Sequence, residues 1–325
     1  MKIAILDDYQ DVVRHLACFE MLQQHEVKIF TNRAVGTGQL AIRLAQFDAV
    51  VLIRERSRFS RALLQKLPKL KLISQTGKLA GHVDTAAARD CGIAITEGRG
   101  DPTAPAELTW TLIMAASRRL LNYASLLQEG CWQMSSSEPS RNRLGRVLKQ
   151  RVLGIWGYGR IGKLVAGYGK AFGMQVLVWG SAASQAQAQA DGYQIAATRA
   201  AFFADSDVIS LHLRLNDATH GIVNLEDLSR MKRDALFVNT SRAELVAATA
   251  LETALSQGRP GFAALDVFET EPLAAGHALL RYENVLATPH LGYVEQDSYE
   301  LYFSAAFQNI LDFSAGTPSN LYTGA

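Results

Sequence analysis

One turn constrains this chain more than any other stretch. Residues 152–162 read Val-Leu-Gly-Ile-Trp-Gly-Tyr-Gly-Arg-Ile-Gly, an apolar run followed by glycines at 157, 159 and 162. The run suits a buried parallel strand. A helix-compatible segment follows at 163–172, and a second apolar run, 174–179, returns after Gly173. Strand, glycine turn, helix and strand together lift G-x-G-x-x-G spacing from an ordinary tight turn to a dinucleotide-binding signature. Gly157 permits the turn, Gly159 lets backbone approach a pyrophosphate, and Gly162 lets helix and strand pack closely. Phosphates would then face the free N–H groups of the helix N-terminus.

The rest of the chain extends this pattern. Short apolar runs at 2–6, 26–31, 47–53, 70–75 and 92–96 alternate with segments of helical spacing at 12–22, 39–45 and 60–67. Alternation of this kind implies right-handed βαβ units on a parallel sheet. After the break Asp101-Pro102-Thr103-Ala104-Pro105, residues 106–127 predict one long helix. A polar stretch, 129–150, follows as a surface loop that Trp132 anchors. Beyond the glycine turn, 181–190 predicts an exposed helix, and further strands are expected at 207–211, 235–239, 262–267 and 284–287. The segment 295–314 is too apolar for a free tail and is expected to return to the first domain. At 325 residues, length alone suggests about two domains. The expected organisation is α/β with two doubly wound parallel-sheet domains. One, residues 1–100 with 294–325, is flavodoxin-like; the other, residues 101–293, is an inserted Rossmann domain. A ligand cleft is expected between them.

Composition narrows the partners. A net charge of +2 from 33 basic and 31 acidic residues argues against nucleic acid or a membrane surface. No apolar run approaches the ~20 residues of a membrane helix, and the N-terminus turns acidic at Asp7-Asp8 without a signal-peptide core. Cys18, Cys91 and Cys131 are far apart, without metal-ligand spacing, as expected of reduced thiols in a cytoplasmic protein.

Three stretches close later strands, where open α/β sheets hold their ligands. They are Val238-Asn239-Thr240-Ser241-Arg242, Leu265-Asp266-Val267-Phe268-Glu269-Thr270-Glu271-Pro272, and Thr288-Pro289-His290-Leu291-Gly292. Arginine clamps a carboxylate bidentately. Histidine carries a proton near neutral pH, and a carboxylate beside it orients the ring. Each residue has a plainer reading as well: Arg242 as a surface residue, His290 as a core histidine, and Glu269 as a competitor to Glu271.

With these motifs in this order, the chain resembles the D-isomer-specific 2-hydroxyacid dehydrogenases over nearly its whole length. The resemblance implies a hydride exchanged between a nicotinamide cofactor and a small D-2-hydroxy acid or its 2-oxo partner. It implies Arg242 as the binder and polariser of the 2-oxo acid, His290 as general acid and base, and Glu271, just before Pro272, as the partner of that histidine. Asp266 would accept from the nicotinamide carboxamide, with Gly292 on the same side. Arg160 and Ile161 would lie along the pyrophosphate, and Thr240 near the nicotinamide. The family's substrate loop, which offers backbone N–H groups to the substrate carboxylate, falls on Gly77-Lys78-Leu79-Ala80-Gly81. Arg54, after the third strand, is either solvated or a further contact to an anionic substrate. Relatives that prefer NAD commonly end the second nucleotide strand with an acidic residue that bonds the ribose. Here Gly180-Ser181 stands there with no arginine following, so NAD is expected, NADP is the alternative, and discrimination should be poor. The resemblance also implies a homodimer. The alternative function is a nicotinamide-sensing corepressor-like binding protein on the same fold.

Overall fold

The structure is a computed structural model, and it describes residues 1–324. The chain forms two compact units, Met1–Asp101 with Val294–Ala325, and Pro102–Tyr293.

The first unit opens with β1 (Lys2–Ile5), β2 (Glu26–Ile29), α1 (Gly36–Leu44), β3 (Ala49–Leu52), α2 (Arg61–Leu64), β4 (Leu72–Gln75), α3 (Thr85–Asp90) and β5 (Ala94–Thr96). Its five strands are parallel in the order β2-β1-β3-β4-β5, the flavodoxin-like winding. β3 and β4 are buried along their whole length, as continuous apolar runs demand when helices cover both faces.

The expected helix at 12–22 is instead two 3-10 segments, Val13–His15 and Ala17–Leu22, with Leu16 extended between them. Side chains from elsewhere cap each piece. Asp8 accepts the Val13 N–H at 2.9 Å, and Glu300, far along the chain, accepts the N–H groups of Ala17 and Cys18 at 2.6 and 3.1 Å. Capping the second piece from outside removes the i→i−4 partners that a continuous helix would need.

The second unit begins with α4 (Thr103–Ser117) and α5 (Leu120–Gln128). These replace the single long helix expected over 106–127. The break is at Arg119, which adopts φ 51° and ψ 37°, a left-handed conformation. Its guanidinium is buried 5.2 Å from the Phe262 ring. Gly145 packs so closely on Arg118 that a Cβ there would sit 2.8 Å from the Arg118 Cα. Neither glycine nor proline marks the break, so tertiary packing imposes it on helix-forming residues. Trp132 does not anchor the following loop within this chain, since it is 75% exposed.

Next come β6 (Val152–Trp156), α6 (Arg160–Ala171), β7 (Gln175–Trp179), α7 (Ala182–Ala190), β8 (Gln194–Ile195), α8 (Arg199–Asp205), β9 (Val208–Leu211), α9 (Leu225–Arg230), β10 (Leu236–Asn239), α10 (Ala250–Ser256), β11 (Phe262–Leu265) and β12 (Val285–Ala287). The sheet is parallel in the order β12-β11-β10-β9-β6-β7-β8, a Rossmann winding with one more strand at the β12 edge. β8, only two residues long, lay outside the expected strands.

The final helix, α11 (Gln296–Ser314), belongs to the first unit and buries Tyr299, Tyr302, Phe303, Phe307 and Ile310. Phe307 meets Phe19 edge-on at 6.3 Å, and Ser74 Oγ on β4 donates to the Ala306 carbonyl at 2.8 Å. The chain thus completes its first core with its last helix. Among the described residues, no helix is long and apolar enough to cross a membrane.

Candidate active site

The glycine turn sits at the carboxyl end of β6, beside the switch point where the strand order reverses. Gly157 adopts φ 98°, and a Cβ there would lie 2.6 Å from the His212 carbonyl oxygen, so only glycine fits. Its N–H donates to the Trp179 carbonyl at 2.9 Å, tying the turn to β7. A Cβ on Gly162 would come within 2.2 Å of the Gly157 oxygen, which is the close helix-to-strand approach its spacing implied. Above Gly159 there is open space, with nothing within 4 Å of a built Cβ. Gly159 caps α6, and Arg160 and Ile161 supply its first turn. Here a helix N-terminus meets a backbone surface that no side chain covers, and a nicotinamide dinucleotide fits that cradle through its pyrophosphate.

Gly180 ends β7. Its carbonyl accepts Gln185 Nε2 at 2.8 Å, while Ser181 Oγ caps α7 by accepting the Ser184 N–H at 3.3 Å. A Cβ at Gly180 would meet the Ser184 Cβ at 3.3 Å. The end of β7 beside the glycine turn is therefore lined by small polar groups and backbone.

The turn after β10 is clamped from inside. Buried Asn239 donates through Nδ2 to the Arg242 carbonyl at 2.8 Å and accepts the Ser241 N–H at 3.1 Å. Ser241 Oγ donates to the Leu211 carbonyl at 2.7 Å. This braces the backbone of Arg242, whose guanidinium lies half-buried, with Nη1 2.6 Å from the Ser241 carbonyl. Thr240 Oγ1 lies 2.7 Å from Thr109 Oγ1 on α4, a contact with no local signature in sequence.

The loops after β11 and β12 are bound to one another. His290 Nδ1 stands 2.6 Å from Glu271 Oε2, and Glu271 Oε1 accepts the Phe268 N–H at 3.0 Å. Glu271, not exposed Glu269, is thus the partner of the histidine. Burial tends to raise the Glu271 carboxyl, but the bond from His290, that ring's charge, the Phe268 N–H and the Arg242 charge outweigh it and hold the carboxyl below its ordinary range. His290 itself has φ 54°, a strained backbone for a non-glycine residue.

Buried Asp266 restrains that loop. Its Oδ1 accepts from Thr288 Oγ1 and from the Leu291 N–H, both at 2.7 Å, and its Oδ2 accepts the Gly292 N–H at 2.9 Å. Burial is the largest influence on this carboxyl and pushes it up against these hydrogen bonds. Three acceptor positions are taken locally, and a carboxylate offers about four.

His212 lies outside this network. Its Nε2 is 3.0 Å from Ser210 Oγ, and burial lowers it to about 3, so it stays neutral and structural.

In the first unit, Arg54 follows β3 with φ 53°. Its N–H donates to Thr76 Oγ1 at 3.0 Å, and its guanidinium lies 5.8 Å from the Tyr302 ring. Any Cβ on Gly77 would fall 2.1 Å from Arg54 Nη1, so the guanidinium rests on the loop that starts there. Lys78 Nζ pairs with Glu97 Oε2 at 2.7 Å, and the Leu79 N–H donates to Glu97 Oε1 at 2.7 Å. Nothing in the sequence pointed to Glu97.

A Rossmann cradle combined with an arginine and a carboxylate-bound histidine defines a nicotinamide-dependent oxidoreductase. Over residues 110–292 the chain matches the family described as "D-isomer specific 2-hydroxyacid dehydrogenase, NAD binding domain". It is 34% identical over 262 residues to a glyoxylate reductase of Aeropyrum pernix, covering 80% of this chain and 78% of that one. A solved structure from Ralstonia solanacearum is 57% identical, with a TM-score of 0.97 over 100% of this chain and 97% of the other. A phosphoglycerate oxidoreductase from Vibrio cholerae is 54% identical, with a TM-score of 0.93 over 97% and 99%. The chain belongs to the D-isomer specific 2-hydroxyacid dehydrogenases. It is an enzyme that moves a hydride between a nicotinamide cofactor and a 2-hydroxy acid or its 2-oxo counterpart.

Proposed function

We propose that this enzyme reduces small 2-oxo acids of the glyoxylate and hydroxypyruvate type with His290 as the proton donor. The observation that carries this reading is the 2.6 Å contact between His290 Nδ1 and Glu271 Oε2. It fixes the ring and leaves Nε2 to exchange a proton with the substrate oxygen. Arg242 binds the substrate carboxylate and oxo group and stabilises the negative charge that develops on that oxygen. When bound, the cofactor supplies or accepts the hydride.

Gly157, Gly159, Arg160, Ile161 and Gly162 hold the pyrophosphate. Gly180 and Ser181 face the adenosine ribose, and Thr240 and Gly292 the nicotinamide side, where Asp266 offers its remaining acceptor position to the carboxamide. NAD is the proposed cofactor, used with poor discrimination against NADP because no carboxylate stands at Gly180 to repel a 2′-phosphate. Residues 101–293 form the nucleotide domain, and residues 1–100 with 294–325 the substrate domain. In the latter, Arg54 and the backbone of Lys78 and Leu79 contact the substrate carboxylate, with the Leu79 N–H exchanging Glu97 for the substrate.

The protein acts in the cytoplasm as a homodimer. Leu120, Leu121, Trp132, Leu144 and Val147, on α5 and the loop after it, are all exposed, and a second copy of the same face would bury them. The test of the catalytic reading is a panel of 2-oxo acids assayed in parallel with NADH and NADPH. Turnover of glyoxylate or hydroxypyruvate is expected, faster at low cofactor with NADH. Tight NADH binding with no turnover of any 2-oxo acid would instead indicate a sensor.

A further inference from the structure

A left-handed backbone is unfavourable for an arginine unless its surroundings hold it there. Arg54, with φ 53°, is held on both sides of its own residue. The restraints come from the neighbouring strand end. β3 ends at Leu52 and β4 at Gln75, and these two residues are partners in the parallel register. The Arg54 N–H donates to Thr76 Oγ1 at 3.0 Å, and that hydroxyl donates onward to the Leu52 carbonyl at 2.9 Å. On the other side, Gln75 Nε2 donates to the Arg54 carbonyl at 3.0 Å.

Gln75 and Thr76 are fully buried. A buried amide must satisfy both its oxygen and its nitrogen, and an apolar side chain would fill the same space without that demand. Here both ends of the amide are used. With Nε2 committed to the Arg54 carbonyl, Oε1 faces His82 Nε2 at 3.2 Å, so that ring nitrogen carries the proton. His82 is itself fixed by backbone: its carbonyl accepts the Phe59 N–H at 2.7 Å, and the Phe59 carbonyl accepts the Asp84 N–H at 2.8 Å.

The guanidinium at the far end of Arg54 rests on Gly77, where a Cβ would fall 2.1 Å from Nη1, and lies 5.8 Å from the Tyr302 ring. Backbone bracing and the bare glycine surface therefore aim one side chain along one path.

We propose that Gln75 is a positioning residue for the reaction. Backed by His82, and with Thr76 on the N–H side, it sets the direction in which Arg54 presents its guanidinium to the carboxylate of the 2-oxo acid. This rests on the reading of Arg54 as a contact to that carboxylate. A planar fork recognises a carboxylate bidentately only when both are aligned, so a backbone turn at Arg54 weakens the contact while the charge remains.

The experiment is a double-mutant cycle between Gln75→Met and Arg54→Met in the full-length enzyme, with glyoxylate varied at saturating NADH. Methionine keeps the length of the side chain and removes its hydrogen bonds. R54M should raise glyoxylate KM by about ten- to hundredfold, the loss of charge-assisted bonds. Q75M should raise it by roughly three- to tenfold, the loss of a neutral one. Its kcat and its Kd for NADH should stay near wild type, as expected for lost substrate binding alone. In the R54M background, the Gln75 change should alter KM by less than about twofold, because both act through one guanidinium. Should Q75M fail to fold, T76V releases the other side of the same residue and should show the same split. A wild type inactive on glyoxylate, or R54M with unchanged KM, overturns the reading of Arg54 and the proposal with it. Impaired R54M beside an unaffected Q75M overturns the positioning role alone, as does a Q75M defect equal in both backgrounds.

Discussion

Glu271 and His290 are joined by a 2.6 Å contact between Oε2 and Nδ1, and the second Glu271 oxygen is fixed by the Phe268 N–H at 3.0 Å. The imidazole is thus oriented from a loop whose own geometry is set by its backbone. Asp266 performs the matching task on the other side by taking up Thr288, Leu291 and Gly292 around the histidine. Two carboxylates from one strand end therefore place one ring. The strain of φ 54° at His290 is sustained by these bonds.

Replacing His290 by Gln should lower kcat by the ~10²–10⁴-fold typical of lost acid–base catalysis, with the Kd for NADH nearly unchanged in a fluorescence titration. An unaltered kcat would remove His290 from its role. E271Q should cost less activity and should also change acid stability. The native Glu271 carboxyl lies below its ordinary value of 4.5, so its contribution is complete above that pH and fades as pH falls through the lower folded value. The Tm gap between wild type and E271Q should accordingly be widest near neutrality and close in acid.

Arg242→Ala should mainly raise KM for the 2-oxo acid. A lost charged hydrogen bond of ~1.5–3 kcal/mol corresponds to about ten- to hundredfold in kcat/KM. Steady-state kinetics with glyoxylate or hydroxypyruvate provide the measurement, and a defect confined to NADH binding would contradict the assignment.

Gly162→Ala places a methyl group 2.2 Å from the Gly157 carbonyl oxygen. Backbone cannot swing aside as a side chain would, so α6 must shift. Overpacking of this kind costs about 1–3 kcal/mol, and the pyrophosphate cradle moves with the helix. Lower stability in urea together with weakened NADH binding is expected; full NADH affinity would mean the cradle tolerates the shift.

Gly180→Asp should select against NADPH. The new carboxylate repels a 2′-phosphate while bonding a free ribose hydroxyl. NADPH KM should rise by at least about tenfold, equivalent to ~1.4 kcal/mol, with NADH KM little changed. Equal effects on both cofactors would show that Ser184, 3.3 Å from the added Cβ, is simply displaced.

The three thiols are free and differ in environment. Cys18 is pushed up to about 12 by burial, reinforced by the Glu300 carboxylate, so almost no thiolate exists at pH 8. Exposed Cys91 should react first with a thiol reagent, and Cys18 only after denaturant is added. Rapid labelling of Cys18 in the native protein would mean that α11 lifts from the Ala17–Leu22 segment.

Much of this protein was legible in its residues because the relevant signals are local. Strand runs and the 157–162 turn each depend on spacing within a short window, where backbone sterics and side-chain period decide the outcome, while the roles of Arg242, Glu271 and His290 were legible only through the family resemblance of the stretches that carry them. Glu271 was favoured over Glu269 only by the family's placement of its glutamate before a proline, here Pro272, and the structure separates the two by the bond to His290.

Other features were decided by residues distant in sequence. The 12–22 segment reads as a helix until Glu300 supplies caps across the fold, and 106–127 reads as one helix until buried Arg119 turns the chain. Thr109 meets Thr240, and Glu97 takes the Leu79 N–H, with no pattern to announce either. Trp132 reads as an anchor and is exposed. Local sequence determined which elements could form and which side chains end each strand. Only the tertiary structure decided where helices stop and which polar groups share a proton or a charge, because those choices depend on partners that folding brings together.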